Sequence, residues 1–339
     1  MLLFGSHPGD DADPVAVAAA TLWSGLSGGT ARLINHSENH TYLIETPEGA
    51  RFALRVHRAG HLAGDAIAAE LDWLAAVARD SGVPVVKPLP GRDGNLLQRL
   101  PDGRYAVLFE WIAGQEPVAD GPLTPLFVTL GRYAALLHRH ARSTAPDPRR
   151  VRPVWNSASL LERGGAFGDW RQAPGVDAAI RASLEPFVQR LGADLARYGT
   201  GADRFGLVHA DMRLANLLET PSGLAVLDFD DCGQSWFLYD FGASVSFIEA
   251  DPRVPELARA WVSGYRTIAP LGAHDIAMLE PMVLLRRMAL LAWIGSHGET
   301  RLAAAHAPDF AEGTAHLAER YMARPAPERR DPYDCGLEG

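Results

Sequence analysis

The sequence predicts an α+β protein in which a small β-rich part with one helix precedes a larger, mostly helical part. Residues 30–57 contain short segments typical of strands, and apolar and polar residues alternate in the last of them. Apolar residues recur at helical spacing over 62–80 and repeatedly beyond 123. The chain of 339 residues is long enough for one large domain or for two lobes that each bury a core.

The N-terminal part is predicted to contain a series of strands. Their segments are ARLIN, TYLIET, RFALRVHR, 95–99 and 104–112. In RFALRVHR, alternation places Ala53 and Arg55 on the face opposite Phe52, Leu54 and Val56. This strand therefore aims the Arg55 side chain in a defined direction.

One helix and a short extension complete the predicted N-terminal lobe, which spans 1–112. The helix covers 62–80, ends before Gly82, and carries Glu70. The extension covers 1–24 and is expected to contain a short helix from residue 11.

A second, mainly helical lobe is predicted over 113–323. Its expected helices are 123–141, 176–198, 239–250, 255–268, 275–296 and 309–323. A hairpin-like unit, VHADMRLANLLETPSGLAVLDFDDC, lies among them. The last segment, 324–339, is rich in proline and charge and is expected to be a mobile tail.

Composition and charge exclude several classes of protein. Asp and Glu outnumber Lys and Arg by 41 to 32, so a general nucleic-acid binder is not expected. The two cysteines, Cys232 and Cys335, lack metal-ligand spacing and indicate a reducing compartment, which favours a cytoplasmic protein. The N-terminus has no basic region that would indicate a signal peptide. PMVLLRRMALLAWIGSH contains Arg286 and Arg287 and predicts a buried helix, so no membrane partner is expected.

Four polar residues stand at defined offsets in the hairpin-like unit. His209, Asp211 and Asn216 form the pattern H-x-D-x-x-x-x-N, and Asp228 follows Asn216 by twelve residues. An amide and a carboxylate supply the oxygen ligands that Mg²⁺ prefers, and a further carboxylate can act as a base. The pattern therefore indicates a site for a divalent cation and a phosphate.

This pattern resembles the catalytic loop and metal-binding aspartate of the protein-kinase-like fold. Ala210, where protein kinases usually carry Arg, and YDFG at 239–242 make the chain similar to the aminoglycoside phosphotransferase and choline kinase superfamily, over about residues 30–300. The resemblance implies a bilobal kinase-like fold. It also implies transfer of the γ-phosphoryl group of ATP or GTP, with Mg²⁺, to a hydroxyl of an amino alcohol, an amino acid or an aminoglycoside.

The resemblance assigns a role to each residue of the motif. Asp211 would accept or orient the proton of the attacking hydroxyl, and Arg213 would neutralise charge on the moving phosphoryl group. Asn216 and Asp228 would hold Mg²⁺.

Three neighbouring residues are expected to support the loop rather than to react. His209 would pack the loop and hydrogen-bond its backbone. Asp240, in YDFG, resembles the family's aspartate that braces the catalytic loop through backbone N–H groups. Cys232 is expected to be a small buried residue.

The nucleotide is assigned to the N-terminal lobe by the same resemblance. Ala53, in FALR, would lie over the adenine, and Arg55 would reach the α and β phosphates with Glu70 as its ion-pair partner. Arg55 stands where kinases usually have Lys, but a guanidinium can still bind phosphate bidentately.

Two further segments are assigned to the nucleotide. NHSENHTY lacks the glycine-rich pattern of protein kinases, so Ser37 and Asn39 are candidates to contact the phosphates. Main-chain groups of Glu110 and Ile112, in FEWIAG, would meet the adenine edge.

The acceptor site is assigned to the helical lobe. Trp236 and Trp293, with Glu249, are candidates to line a pocket for a cation through ring faces and charge. Core packing is the alternative for both tryptophans. Of Asp230 and Asp231, which adjoin the predicted metal site, one would bind a substrate amine or a second Mg²⁺, and a solvated turn is the alternative.

Two other functions remain open. A bacterial Ser/Thr protein kinase would share the fold, although no Ser/Thr-bearing activation segment with an A-P-E ending is found. A non-catalytic, nucleotide-binding pseudokinase would usually lack the base or a metal ligand, and Asp211, Asn216 and Asp228 are all present. The expected partner is a small-molecule hydroxyl acceptor, and the chain would be a monomer or a homodimer.

Overall fold

The computed structural model describes residues 14–36, 39–60, 62–143, 152–325 and 331–336. It divides into two compact units. The first unit holds the described residues up to Val118, together with Arg152 and Leu218–Asp230, and the second holds the others. The chain thus returns to the first unit after residue 217. Backbone bridges from Val85 to Val226 and from Gln115 to Glu219 hold the returning segment there.

The described residues form short strands and helices, and most of the helices are longer than the strands. The strands are β1 Thr30–His36, β2 His40–Glu45, β3 Arg51–Val56, β4 Pro88–Leu89, β5 Gln98–Arg99, β6 Tyr105–Glu110, β7 Phe205–Val208, β8 Leu217–Thr220, β9 Gly223–Val226 and β10 Gly233–Trp236. The helices are α1 Pro14–Ala20, α2 Gly64–Asp80, α3 Leu123–Ser143, α4 Ser157–Leu161, α5 Ala178–Tyr198, α6 Tyr239–Ser244, α7 Val254–Arg266, α8 Ala273–Ala277, α9 Leu279–Ser296 and α10 Arg301–Met322. This arrangement confirms the predicted α+β class.

Within the described residues, the first unit contains a six-stranded antiparallel sheet in the order β1-β2-β3-β6-β4, with β5 also paired to β6. The alternation in β3 places its apolar side chains on one face of the sheet, as predicted. Leu54 and Val56 are fully buried in a core with residues of α1, and Phe52 packs against that core. Arg55 consequently projects from the opposite face of the sheet. The β8–β9 hairpin also contributes to this unit.

Helices dominate the second unit, where α9 is buried along almost its whole length and packs against α6 and α10. β7 and β10 form a two-stranded antiparallel sheet. The predicted helix at 309–323 begins earlier, at Arg301, because the Thr300 hydroxyl caps it by accepting a hydrogen bond from the Ala303 N–H. The predicted helix at 239–250 ends earlier, at Ser244.

The C-terminal residues 331–336 pack onto the second unit and differ in this from the mobile tail expected over 324–339. Arg259, on α7, donates a hydrogen bond to the Tyr333 carbonyl at 2.9 Å. The Tyr333 ring is buried and meets Phe241 at 6.1 Å between centroids. The burial of Tyr333 depends on tertiary contacts, which the composition of the segment does not show.

No helix in the part of the chain described here has an apolar stretch long enough to cross a bilayer.

Candidate active site

The catalytic-loop motif lies between β7 and β8 and ends in a 3₁₀ turn at Leu214–Asn216. Ala210 has a φ of 67°, which is uncommon for a residue with a Cβ atom and must be held by its surroundings. The Asp240 carboxylate holds it by accepting hydrogen bonds from the N–H groups of His209 at 3.3 Å and of Ala210 at 2.7 Å. The contact predicted for Asp240 is therefore present.

Asp240 is itself fixed by a chain of buried side chains. His138, on α3, places Nε2 at 2.9 Å from the Asp240 carboxylate and Nδ1 at 3.1 Å from the Tyr265 hydroxyl. Burial raises the pKa of Tyr265, so its hydroxyl stays protonated. In the tautomer whose Nε2–H donates to Asp240, His138 Nδ1 accepts a hydrogen bond from this hydroxyl. The backbone of the loop is therefore held by α3 and α7 through the side chains of His138, Tyr265 and Asp240.

Asp211 is surrounded by hydrogen-bond donors. One carboxylate oxygen accepts from Asn216 Nδ2 at 2.6 Å and from Arg213 Nε at 3.3 Å. The other oxygen accepts from Arg286 Nη2. His209 Nδ1 accepts from the Asp211 backbone N–H at 3.3 Å, which is the supporting contact predicted for that imidazole. The second unit therefore brings Asp211, Arg213 and Asn216 together.

Arg286 is a site residue that sequence reasoning missed. It is buried on α9, where Nε donates to Ser246 Oγ at 3.0 Å and Nη1 lies 3.5 Å from the Ala210 carbonyl oxygen. Burial is the largest influence and opposes its charge, but Asp211, Tyr239 and Asp231 together outweigh burial and raise the pKa of Arg286. The available signal was a pair of arginines inside an apolar helix, because a buried charge requires a partner.

In the first unit, Arg55 bridges two carboxylates. Its Nη1 donates to Glu70 Oε1 at 3.0 Å and its Nη2 donates to Asp228 Oδ1 at 2.7 Å. The predicted ion pair between Arg55 and Glu70 is therefore present. Asp228 has a φ of 56°, and its side chain remains 43% exposed. The Arg55 guanidinium also lies over the Phe109 ring, at 5.1 Å from its centroid.

This cluster carries more carboxylates than guanidinium groups. Glu70, Asp228 and Asp230 face Arg55 and the buried Arg152, which lies 4.0 Å from Glu70 and donates to the Asp230 carbonyl. Burial, followed by the Asp230 charge, raises the pKa of Glu70 to about 8, although both arginines oppose the shift. Because only two guanidinium groups face the three carboxyl groups, a cation bound beside them would favour the charged form of Glu70.

The remaining nucleotide candidates also lie in the first unit. Asn39 is buried, and its Nδ2 donates to Asp230 Oδ2 at 2.6 Å. Ala53 is half-buried on β3, and Ile112 is half-buried just beyond β6. The Glu110 N–H donates to the Lys87 carbonyl at 3.0 Å. Ser37 lies outside the described residues.

The four acceptor candidates have separate environments. Trp236 is buried, and its indole N–H donates to the Gly199 carbonyl at 2.7 Å. Trp293 is half-buried and stacks on His297 at 5.1 Å. The other two are acids: Asp231 is half-buried, and Glu249 is buried in an ion pair. None of these contacts joins two of the four residues.

The chain is similar to known phosphotransferases in both sequence and structure. The model of a phosphotransferase enzyme family matches residues 30–274. A solved microcompartment-associated aminopropanol kinase is 42% identical, with a TM-score of 0.84 over 93% of this chain and 98% of that chain.

Two amicoumacin kinases are also similar. The solved kinase hAmiN, in complex with AMP-PNP, Ca²⁺ and Ami, shares the fold with a TM-score of 0.73 at 21% identity, over 88% of this chain and 91% of that chain. The amicoumacin kinase of Bacillus subtilis (strain 168) is 25% identical over 244 residues, which cover 70% of this chain and 69% of that protein.

Proposed function

Because this chain belongs to the phosphotransferase enzyme family and is a small-molecule kinase, we propose that it transfers the γ-phosphoryl group of ATP to the hydroxyl of a small amino alcohol. The observation that carries the acceptor class is the 42% identity to an aminopropanol kinase, which extends over 93% of this chain. The hydroxyl is the nucleophile, its proton is taken up by a base, and ADP is the leaving group.

Asp211 is the proposed base. Its carboxylate accepts hydrogen bonds from Asn216 and Arg286, which fix its orientation before a substrate arrives. A carboxylate is sufficient for this step, because the transition state of phosphoryl transfer is loose and places a modest demand on the base. Arg213 is proposed to neutralise charge on the phosphoryl group, as a guanidinium offers several donors to phosphate oxygens.

The nucleotide is proposed to bind to residues of the first unit. Arg55, oriented by Glu70, is proposed to contact the phosphates, since a guanidinium held by two carboxylates stays charged. The adenine is proposed to meet Ala53 and main-chain groups of Glu110 and Ile112. The other proposed phosphate contacts are Ser37 and Asn39.

Mg²⁺ is proposed to be held by Asn216 and Asp228. Asn216 donates through Nδ2 to Asp211, so its amide oxygen remains for a cation, and Asp228 contributes a carboxylate. No group of three or more His, Cys, Asp or Glu suited to a metal occurs among the described residues, so phosphate oxygens and water would complete the coordination. When bound, the ion would neutralise charge on the nucleotide phosphates.

The function is tested by nucleotide consumption and product mass with ATP or GTP, Mg²⁺ and a panel of acceptors. The panel contains amino alcohols, amino acids, aminoglycosides and a generic protein such as casein. We expect phosphorylated amino alcohol as the main product. Phosphate transfer to the protein instead would indicate a Ser/Thr protein kinase, and nucleotide binding without turnover would indicate a pseudokinase.

A further inference from the structure

A buried ion pair in the second unit contains a carboxylate oxygen without a hydrogen-bond partner. Glu249 lies beyond the end of α6, and its fully buried side chain accepts a hydrogen bond at Oε2 from Arg287 Nη1 at 2.8 Å. Its Oε1 has no hydrogen-bond partner among the described residues. Such an oxygen is rare in folded proteins, because leaving it unsatisfied costs free energy. Glu249 therefore has the capacity to accept from one further donor.

Arg287 serves to hold this carboxylate in place. Its Nε donates to Thr314 Oγ1 at 2.9 Å and its Nη2 donates to the Phe310 carbonyl at 3.0 Å. The guanidinium also lies over the Phe310 ring, 3.4 Å from its centroid. Because these contacts fix all three nitrogens, Arg287 cannot turn to serve Oε1 while they are kept.

Aromatic rings lie beside the pair, and one of them is on a strained residue. Phe247 stacks on His306 with centroids 4.2 Å apart, and both residues are partly exposed. Phe247 has a φ of 69°, a conformation that is unfavourable for a bulky side chain and that concentrates at ligand sites. Burial lowers the pKa of His306 although the charge of Glu249 opposes this, so a neutral imidazole lies within electrostatic range of Glu249.

The ion pair and the proposed base are held by the same two segments. Arg286 and Arg287 are consecutive on α9, where the first holds Asp211 and the second holds Glu249. Ser246, which accepts from Arg286, directly precedes the strained Phe247. A ligand that contacts Glu249 would therefore act on Arg287, whose neighbour Arg286 holds Asp211 in the catalytic loop.

We propose that Glu249 binds the ammonium group of the phosphate acceptor. Oε1 accepts a hydrogen bond from the ammonium, and the rings of Phe247 and His306 offer their faces to the cation. The ligand class is a small primary amino alcohol whose hydroxyl reaches Asp211. This inference rests on the proposed function and adds to it the residue that selects the amine.

The test compares wild type with Glu249→Gln on 1-amino-2-propanol and on 1,2-propanediol, which has a hydroxyl in place of the amine. Glutamine keeps an acceptor for Arg287 but loses the negative charge. We expect the KM for the amino alcohol to rise about 10- to 100-fold, as for the loss of a charge-assisted hydrogen bond. The KM for the diol should rise much less, because its neutral hydroxyl gains less from the charge of Glu249 than an ammonium does.

Glu280→Gln is the matched control, because Glu280 is also a buried glutamate and accepts from Arg324 at 2.9 Å. The Glu280→Gln variant is expected to keep the wild-type preference for the amino alcohol over the diol. If Glu249→Gln keeps that preference as well, the pair is only structural and the inference is overturned. If wild type phosphorylates no amino alcohol, the proposed acceptor class is wrong and the inference falls with it.

A second measurement needs no variant at Glu249. A subsite that accepts a hydrogen bond from N–H disfavours the N,N,N-trimethyl analogue of 1-amino-2-propanol. We expect wild type to use this analogue with a KM about tenfold or more higher. Equal use of the primary and the trimethylated amine would overturn the proposal even if Glu249→Gln did not fold.

Discussion

Asp211 and Arg286 form a pair whose contact is expected to support both the proposed catalytic role of Asp211 and the stability of the fold. The guanidinium is buried and cannot lose its proton, so the fold requires the carboxylate as its partner. The carboxylate in turn is oriented by the guanidinium. Because Arg286 also binds Ser246 and reaches toward the Ala210 carbonyl, it fixes the backbone of the catalytic loop as well as the proposed base.

Replacement of the proposed base should abolish chemistry but not binding. In Asp211→Asn, we expect kcat to fall about 10²- to 10⁴-fold, because the amide cannot accept the hydroxyl proton. Nucleotide affinity, measured by calorimetry, is expected to change little, whereas the melting temperature should fall because the buried Arg286 guanidinium loses its charged partner. A variant that retained full turnover would exclude Asp211 as the base.

Arg286→Lys tests whether Arg286 positions Asp211. A lysine keeps the charge but cannot form the same fork to Asp211, Ser246 and the loop carbonyl. We expect kcat to fall about tenfold or more with the KM for ATP nearly unchanged. Arg286→Met should in addition lower the free energy of unfolding by about 3–5 kcal/mol, because Asp211 loses a buried partner. Wild-type kcat in Arg286→Lys would show that the guanidinium is only structural.

Arg55→Ala tests the proposed phosphate contact. We expect nucleotide binding to weaken by about 1.5–3 kcal/mol, as for hydrogen bonds to a charged group. Arg51→Ala, on the same strand, is the matched control, since Arg51 is exposed and pairs with Glu45 at 3.2 Å. Calorimetry with AMP-PNP and Mg²⁺ measures both affinities. Equal affinities for the two variants would place the phosphates elsewhere.

At the scale of elements, α3 and α7 approach each other at two glycines. A Cβ atom at Gly131 would lie 1.8 Å from the Trp261 carbonyl oxygen, and one at Gly264 would lie 1.9 Å from the Val128 carbonyl oxygen. The backbones of the helices are therefore in direct contact. This contact also sets the separation of His138 on α3 and Tyr265 on α7, whose hydrogen bond supports the catalytic loop.

Gly264→Ala should disrupt this helix pair. We expect the free energy of unfolding to fall by about 2 kcal/mol or more, because the methyl group would overlap with backbone atoms that cannot move independently. Gly192→Ala is the control, since Gly192 lies within α5 and its Cβ atom would have no neighbour within 4 Å. That variant should be stabilised by about 0.5–1 kcal/mol. Denaturant unfolding distinguishes these expectations, and two similar midpoints would contradict them.

At the scale of the whole molecule, ligand binding should appear as added stability. A ligand at about 100 times its Kd stabilises the folded state by about 2.7 kcal/mol. We expect ATP with Mg²⁺ to raise the melting temperature of wild type more than ATP alone. In Asp228→Ala the magnesium-dependent part of that increase should disappear. A magnesium titration identical to that of wild type would contradict the assignment of Asp228 as a metal ligand.

The sequence by itself determined the features that depend on local pattern. The period-two alternation of β3 predicted which side of the strand carries Arg55, and Glu70 was predicted as its partner. The spacing of the catalytic-loop motif, followed by YDFG, identified the family and the contact of Asp240 with the loop. These features depend on neighbours along the chain or on a motif that is readable without a structure.

Only the tertiary structure decided which buried charges meet. Arg286 and Asp211 are 75 residues apart, and Arg152 and Asp230 are 78 apart. The Glu249 carboxylate pairs with an arginine 38 residues away. A sequence indicates that buried arginines need partners, but the choice depends on which faces of packed helices and loops come together. Because a buried charge is satisfied by proximity in space, its partner is set by the packing of the whole unit.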